Sequence, residues 1–91
     1  MVNYSASIGH DSVVSRLCVI GPGAAVAGGC HLEEAAYLGA GAMVRERLRV
    51  GADSVTGMGA VVTRDVSAHR VALGVPARFK SKQDSGTGWL K

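Results

Sequence analysis

The sequence predicts an all-β fold in which short parallel strands wind around a narrow triangular core. Three features lead to this prediction: an aliphatic residue at every sixth position, a small residue four positions after it, and frequent glycine directly after it. Only 4% of the 91 residues are aromatic. A broad core of large side chains is therefore excluded, and a narrow, regular interior is expected.

Aliphatic residues set the frame of the repeat. Counted in hexads from Val2, the first place is Val, Ile or Leu in every hexad as far as Val62, except at Thr56. The fifth place is mostly Ala, Ser or Cys from Ala6 onward, and the frame continues without insertion or deletion to Val66. Residues two apart on a strand point to the same side. The fifth place of one hexad and the first place of the next are thus both expected to face the core.

Three hexads make one triangular coil, so residues eighteen apart in sequence are expected to stack. One interior column then contains Val2, Ile20, Leu38 and Thr56. Glycine at the second place predicts a tight bend after the aliphatic residue, as at Gly9, Gly21, Gly39, Gly51 and Gly57. An α-helix is excluded, because a six-residue period would place successive aliphatic residues about 240° apart around it.

Composition and charge exclude several classes of protein. The net charge of +3 is modest. Basic and aromatic residues are not interleaved as they are on a nucleic-acid-binding surface. The apolar stretches are short and interrupted by glycine, so no transmembrane helix is predicted, and no signal peptide is visible. A bacterial-type cytoplasmic protein is the default expectation. Cys18 and Cys30 lie on different sides of the predicted triangle, so we expect buried thiols without a disulfide. His31 and His69 have no partners at ligand spacing, so no metal site is predicted.

Three motifs carry a resemblance to a known family: "NYSASIGHD" at 3–11, "GAGAMV" at 39–44, and "GMGAVVTRDV" followed by "VALGVPAR" at 57–78. They resemble the hexapeptide-repeat acyltransferases, in particular sialic-acid O-acetyltransferases and nucleotide-amino-sugar N-acetyltransferases. The resemblance implies a left-handed parallel β-helix of about 3.5–4 coils over residues 2–77, with a C-terminal tail at 78–91. It also implies a homotrimer with its site between neighbouring prisms. The open first coil leaves unpaired strand edges, from which we expect two trimers to pair through their N-terminal faces. A counterpart of the N-terminal domain that binds the sugar nucleotide in this family is not expected in this sequence.

The same resemblance places a general base at His10, in a site that Asn3 lines. The attacking sugar hydroxyl or amine must lose a proton as it attacks acetyl-CoA, and imidazole accepts a proton near neutral pH. The third place of a hexad is a corner, so we expect His10 to point away from the core. Gly28, one coil on, leaves room beside the imidazole and offers an amide to the developing oxyanion.

Contacts to the acetyl donor carry over by position to Val19, Gly28, Ala40 and Met58. Val19 stands where the family has a second histidine, and Gly9 stands where it has a carboxylate before the base. Asp11 is the available substitute for that carboxylate. Arg64, Arg78, Lys80 and Lys82 offer positive charge to the phosphates of CoA, although solubility explains them equally well.

Three interpretations follow from these residues. The first is an acetyl-CoA-dependent acetyltransferase acting on a sugar or nucleotide sugar. The second is a truncated, folded and trimeric relative that has weak or no activity and serves as an assembly module. The third is a binding role independent of CoA.

Overall fold

The fold is a left-handed parallel β-helix of about four turns, as predicted. The computed structural model describes residues 6–80. Each coil of three hexads contributes one short strand to each of three sheets. The strands are β1 (Ser7–Ile8), β2 (Val13–Val14), β3 (Val19–Ile20), β4 (Ala25–Val26), β5 (His31–Leu32), β6 (Tyr37–Leu38), β7 (Met43–Val44), β8 (Arg49–Val50), β9 (Val55–Thr56), β10 (Val61–Val62), β11 (Val71–Leu73) and β12 (Arg78–Phe79).

The three sheets form the walls of a triangular prism. Face 1 contains β1, β4, β7 and β10; face 2 contains β2, β5 and β8; face 3 contains β3, β6, β9, β11 and β12. Parallel pairing joins Ile8 to Val26, and Val14 to Leu32, which are steps of eighteen residues. The predicted stacking of residues one coil apart is therefore confirmed.

The core contains the first and fifth places of the hexads, as the sequence pattern predicts. Its buried residues are Cys18, Ile20, Ala24, Val26, Cys30, Leu32, Ala36, Leu38, Ala42, Val44, Val50, Val62, Val66 and Ala72. Cys18 and Cys30 are buried thiols that are not joined in a disulfide; the Sγ atoms donate to the carbonyls of Glu33 and Arg45, each at 3.0 Å. The first coil is less enclosed, since Ile8 and Val14 are only half-buried and pack against this cluster from its N-terminal end.

The corners turn through a residue in the left-handed backbone region at the fourth place. This residue has a φ between 54° and 73° at Asp11, Leu17, Gly23, Gly29, Ala35, Gly41, Arg47, Asp53 and Gly59. Its N–H donates to the third-place carbonyl of the preceding coil, for example from Gly29 to His10 O at 2.8 Å and from Arg47 to Gly28 O at 3.0 Å. The corners therefore stack into three straight edges.

A tight turn follows the aliphatic residue, as predicted, because the second-place carbonyl accepts the fifth-place N–H, for example from Ser12 to Gly9 at 3.3 Å. The left-handed residue of this turn is, however, at the fourth place and not at the glycine. Glycine at the second place leaves space: a Cβ at Gly9 would lie 2.6 Å from the backbone of Ala27 and Gly28, and one at Gly39 would lie 2.7 Å from Met58 N.

The hexad frame ends earlier than expected. Val66 pairs with Val50, which is a first-place residue. The step between them is sixteen residues and not eighteen, so Val66 takes a first place where the frame predicts a fifth. The corner at residues 63–65 is thus two residues short. The Oδ1 atom of Asp65 accepts the N–H of Arg49 at 2.9 Å, whereas one coil earlier the N–H of His31 donates to the Leu48 carbonyl at 2.9 Å. A carboxylate replaces the missing backbone acceptor.

The C-terminal end departs from the parallel pattern. β11 pairs with β9 in the shifted register, and β12 then pairs antiparallel with β11, with Ala72 opposite Phe79. The division between a β-helix at 2–77 and a tail at 78–91 stays a prediction. Within residues 6–80 the chain forms no helix of the length and hydropathy that a membrane span requires.

Candidate functional site

Three edges of the prism carry different chemistry. We call the corners between faces 1 and 2 the first edge; it contains His10–Asp11, Gly28–Gly29, Glu46–Arg47 and Arg64–Asp65. The second edge, between faces 2 and 3, contains Arg16–Leu17, Glu34–Ala35, Ala52–Asp53 and Ala68–His69. The third edge, between faces 3 and 1, contains Pro22–Gly23, Ala40–Gly41 and Met58–Gly59.

His10 is exposed at the first coil of the first edge. Its position at the third place directs it away from the core, as the sequence predicts. The neighbouring Asp11 is also exposed and takes the left-handed conformation, with a φ of 61°. Both residues are therefore on one turn and exposed to solvent.

Gly28 lies directly beneath His10, one coil along. A Cβ at Gly28 would lie 3.1 Å from the carbonyl oxygen of His10 and 3.8 Å from its nitrogen. Glycine here keeps the two corners close, because the nearest atoms belong to the His10 backbone. The closely stacked corners place the Gly28 backbone next to the base of the His10 side chain.

Gly9, directly before His10, is in close contact with the next coil. A Cβ at Gly9 would lie 2.6 Å from the backbone of Ala27 and Gly28, so a larger residue would require the two coils to shift here. The same hexad place holds Glu33 on face 2, so the fold accepts a carboxylate at this place elsewhere. In the sequence, Asp11 is the carboxylate nearest to His10.

The first edge becomes charged toward the C-terminal end of the prism. Arg45 forms an exposed ion pair with Glu46, Nε to Oε1 at 3.4 Å, and the adjacent Arg47 lies at the same corner. A cavity of about 330 Å³ opens beside the last corner of this edge. Its walls include Arg64, Asp65, Arg78 and Phe79 over a floor of core residues such as Val66. Two of the four basic residues that the sequence suggested for phosphate binding thus lie together.

The remaining predicted donor contacts lie elsewhere in the protomer. Ala40 and Met58 are on the third edge, and Met58 is 78% exposed. Val19 lies on face 3, where it pairs with Tyr37. The fold brings His10, Asp11 and Gly28 together, but it places Val19, Ala40 and Met58 away from them within one chain.

The two predicted residues at the chain ends cannot be placed. Asn3 and Lys82 lie outside the described residues. His31 and His69 are both exposed. The Nδ1 atom of His69 lies 3.9 Å from Oδ2 of Asp53. Within residues 6–80 no group of three or more metal-ligating side chains comes together.

A nonpolar surface that the sequence analysis missed covers the third edge and the two faces beside it. Between residues 6 and 62, every charged side chain lies on face 2, on the first or second edge, or at Arg45 beside the first edge. The nonpolar surface consists of Val19, Tyr37 and Val55 on face 3, Pro22, Ala40 and Met58 on the third edge, and Ala25, Met43 and Val61 on face 1. The sequence signals this surface by having no charged residue at the corresponding hexad places in three successive coils. These are the sixth places on faces 3 and 1 and the third places on the third edge.

Comparison with known proteins supports the same fold. No family model matches the chain. It is 37% identical over 81 residues to the acyl-[acyl-carrier-protein]–UDP-N-acetylglucosamine O-acyltransferase of Pseudomonas paraeruginosa, a match that covers 89% of this chain and 31% of the relative. The enzyme of that name from Pseudomonas fluorescens is 36% identical over 86 residues, covering 94% of this chain and 33% of the relative. The chain thus spans about a third of the length of the curated relatives it matches.

Solved structures share the fold of this chain. A histidine-to-asparagine variant of perosamine N-acetyltransferase from Caulobacter crescentus, in complex with CoA and GDP-perosamine, superposes with a TM-score of 0.86 and 40% identity. This match covers 87% of our chain and 38% of that one. WeeI from Acinetobacter baumannii gives a TM-score of 0.84 at 36% identity, covering 87% and 40% of the two chains. In its six-residue repeat and its left-handed β-helix, the chain is similar to these hexapeptide-repeat acyltransferases.

Proposed function

We propose that this chain is the β-helical part of an acetyl-CoA-dependent acetyltransferase that acts on a sugar or nucleotide sugar, with His10 as general base. The observation that carries the proposal is the exposed His10 corner, stacked directly on Gly28, in a chain 40% identical to an N-acetyltransferase crystallised with CoA and a sugar nucleotide. Asp11, the next residue in sequence and also exposed, is the proposed supporting carboxylate.

The proposed reaction needs one base and one oxyanion donor. The acceptor amine or hydroxyl attacks the thioester carbonyl as the imidazole of His10 takes its proton. The resulting oxyanion accepts a hydrogen bond from a backbone N–H, for which Gly28 is the proposed donor. Collapse of the tetrahedral intermediate breaks the carbon–sulfur bond, and the imidazolium returns the proton to the departing thiolate of CoA. No metal is required for these steps.

We propose a homotrimer whose site lies between neighbouring protomers. Two observations support it. The nonpolar surface around the third edge is suited to burial against a second copy. Moreover, Ala40 and Met58 reach a donor bound near His10 only if the third edge of one protomer faces the first edge of its neighbour. The half-buried Ile8 and Val14 support further pairing of trimers through their N-terminal faces.

The assembly is tested by placing a charge on the nonpolar surface. Ala25→Glu on face 1 should dissociate the trimer, whereas the control Val13→Glu, on the charged face 2, should leave it intact. Sedimentation velocity at a fixed protein concentration measures both. If neither variant dissociates the trimer, or if the wild type is a monomer, the proposal is contradicted.

A cytoplasmic location stays a prediction.

Activity is tested by measuring CoA release from acetyl-CoA over a panel of nucleotide-linked amino sugars and free sugars. Loss of a general base lowers the rate about 10²- to 10⁴-fold, so His10→Gln should reduce turnover by that factor. The matched controls His31→Gln and His69→Gln remove exposed histidines from other parts of the prism and should leave turnover unchanged. Turnover that survives His10→Gln would rule out the assigned base.

A second donor is supported by the curated relatives, whose names specify an acyl carrier protein as donor and UDP-N-acetylglucosamine as acceptor. The same panel run with acyl-carrier-protein thioesters separates the two donors. Binding of CoA without turnover of any donor would favour the assembly module instead. The glycine at position 9 and the valine at position 19, which replace family residues, are the observations behind that alternative.

A further inference from the structure

We propose that Ser12 is a positioning residue that holds the His10 corner in fixed register with the Gly28–Gly29 corner. This inference rests on the proposed function, because it assigns the alignment of the general base and the oxyanion donor to one hydroxyl. The residue itself faces the interior at the fifth place of its hexad and is half-buried.

The hydroxyl of Ser12 spans two coils. Its Oγ donates to the carbonyl of Ala27 at 2.7 Å and accepts the N–H of Cys30 at 3.0 Å. These partners lie immediately before and after the Gly28–Gly29 corner. One side chain of the first coil therefore fixes both ends of the corner that lies beneath His10.

The backbone of the same turn completes the connection. The N–H of Ser12 donates to the carbonyl of Gly9 at 3.3 Å, which closes the turn that carries His10 and Asp11. The N–H of Gly29 donates to the His10 carbonyl at 2.8 Å. Thus Ser12 holds the two corners at their ends, and the Gly29 bond joins them at the centre.

Ser54 shows that a fifth-place serine does not by itself make such a link. It occupies the same hexad place, is fully buried, and donates from Oγ to the Gly51 carbonyl of its own corner at 2.7 Å. That corner lies on the second edge, away from His10. Ser54→Ala therefore removes an equivalent hydroxyl without touching the proposed site, and it is the matched control.

The first test measures amide hydrogen exchange in the full chain. Ser12→Ala should raise the exchange of the Cys30 and Gly29 amides about tenfold, because the first loses its acceptor and the second its fixed corner. Ser54→Ala should leave both amides unchanged, and Ser12→Thr, which keeps Oγ, should restore their protection. Unchanged exchange at Gly29 in Ser12→Ala would overturn the proposal.

The second test measures kinetics with the donor and acceptor that give the highest turnover. Ser12→Ala should lower kcat about 10- to 100-fold, since misplacement of a catalytic group by about 1 Å has an effect of that size. KM for the donor should change by less than about threefold, because the donor-contact positions Val19, Ala40 and Met58 lie away from this corner and remain in place. A kcat equal to that of wild type, or a similar loss in Ser54→Ala, would assign Ser12 a purely structural role.

The two proposals fail in different ways. If the wild type has no turnover that depends on His10, the proposed function fails, and the exchange experiment alone decides whether Ser12 couples the corners. If turnover depends on His10 but is insensitive to Ser12→Ala, the general base stands and the positioning role is rejected.

Discussion

Thr56 offers the sharpest test of how the prism is stabilised. It is the one first-place residue within 8–62 that is not aliphatic, and it is fully buried. Among the described residues its Oγ1 has no hydrogen-bond partner. In its column it lies between Leu38 and Ala72, with which it is paired in register. We predict that Thr56→Val stabilises the fold.

The magnitude follows from the two groups that are exchanged. A buried hydroxyl without a partner costs about 1–3 kcal/mol, and the methyl group that replaces it contributes about 0.8 kcal/mol of apolar burial. Valine already occupies the equivalent place in other coils at Val50 and Val62, both buried, so no overpacking is expected. The free energy of unfolding should rise by about 2 kcal/mol.

Urea unfolding followed by far-ultraviolet circular dichroism measures the change. At an m-value of about 2 kcal/mol/M the midpoint should move upward by about 1 M. Protein concentration must be equal for all variants, because oligomerisation contributes to apparent stability. Thr56→Ser is the control: it keeps the hydroxyl, loses the methyl, and should be less stable than wild type. A midpoint that falls in Thr56→Val would mean that the hydroxyl has a partner, and the reasoning would be refuted.

Three further substitutions test the backbone of the coils. Gly9→Ala should cost about 1–3 kcal/mol of stability by overpacking against the next coil, and it should impair the His10 corner. Urea unfolding measures the first effect and CoA release the second. Wild-type values in both assays would contradict the 2.6 Å approach of the next coil to the Cβ position. Asp65→Ala should cost about 1 kcal/mol by leaving the Arg49 N–H without its acceptor, while Asp65→Asn, which retains Oδ1, should lose less; equal midpoints would show that the bond is not needed. Leu17→Gly should stabilise by about 0.5–1 kcal/mol, because this leucine has a φ of 63° and is 66% exposed; the control Leu17→Ala should bring no such gain.

The hexad pattern was sufficient to predict the coil, its eighteen-residue register and its core, because inward-facing places must be apolar in every coil. It was insufficient at Val66, since valine suits either inward place and the change of frame depends on a distant acceptor. The pairing of Val66 with Val50 reveals that two residues are missing, and the Asp65 carboxylate supplies the acceptor for the Arg49 N–H. That compensation joins residues one coil apart and leaves no local mark in the sequence.

The corners show a second limit of sequence reasoning. Glycine at the second place suggested the turn, yet the left-handed residue is at the fourth place, which holds Asp11, Leu17 and Arg47 among others. The stacking hydrogen bond from this residue to the preceding coil stabilises a conformation that most side chains disfavour. For the candidate site, the sequence correctly predicted an exposed His10 above Gly28. It did not predict that the donor-contact positions Ala40 and Met58 lie on a different edge from His10.

The antiparallel strand β12 has a consequence for growth of the solenoid. A repeat with unbroken periodicity offers its last turn as a template on which another molecule can add, which is the route to fibres. Here the last parallel strand, β11, still stacks in register on β9, but its outer edge is paired with the antiparallel strand at Arg78–Phe79. On face 3 a molecule arriving at this end therefore meets a reversed strand in place of the parallel edge that the earlier coils offer.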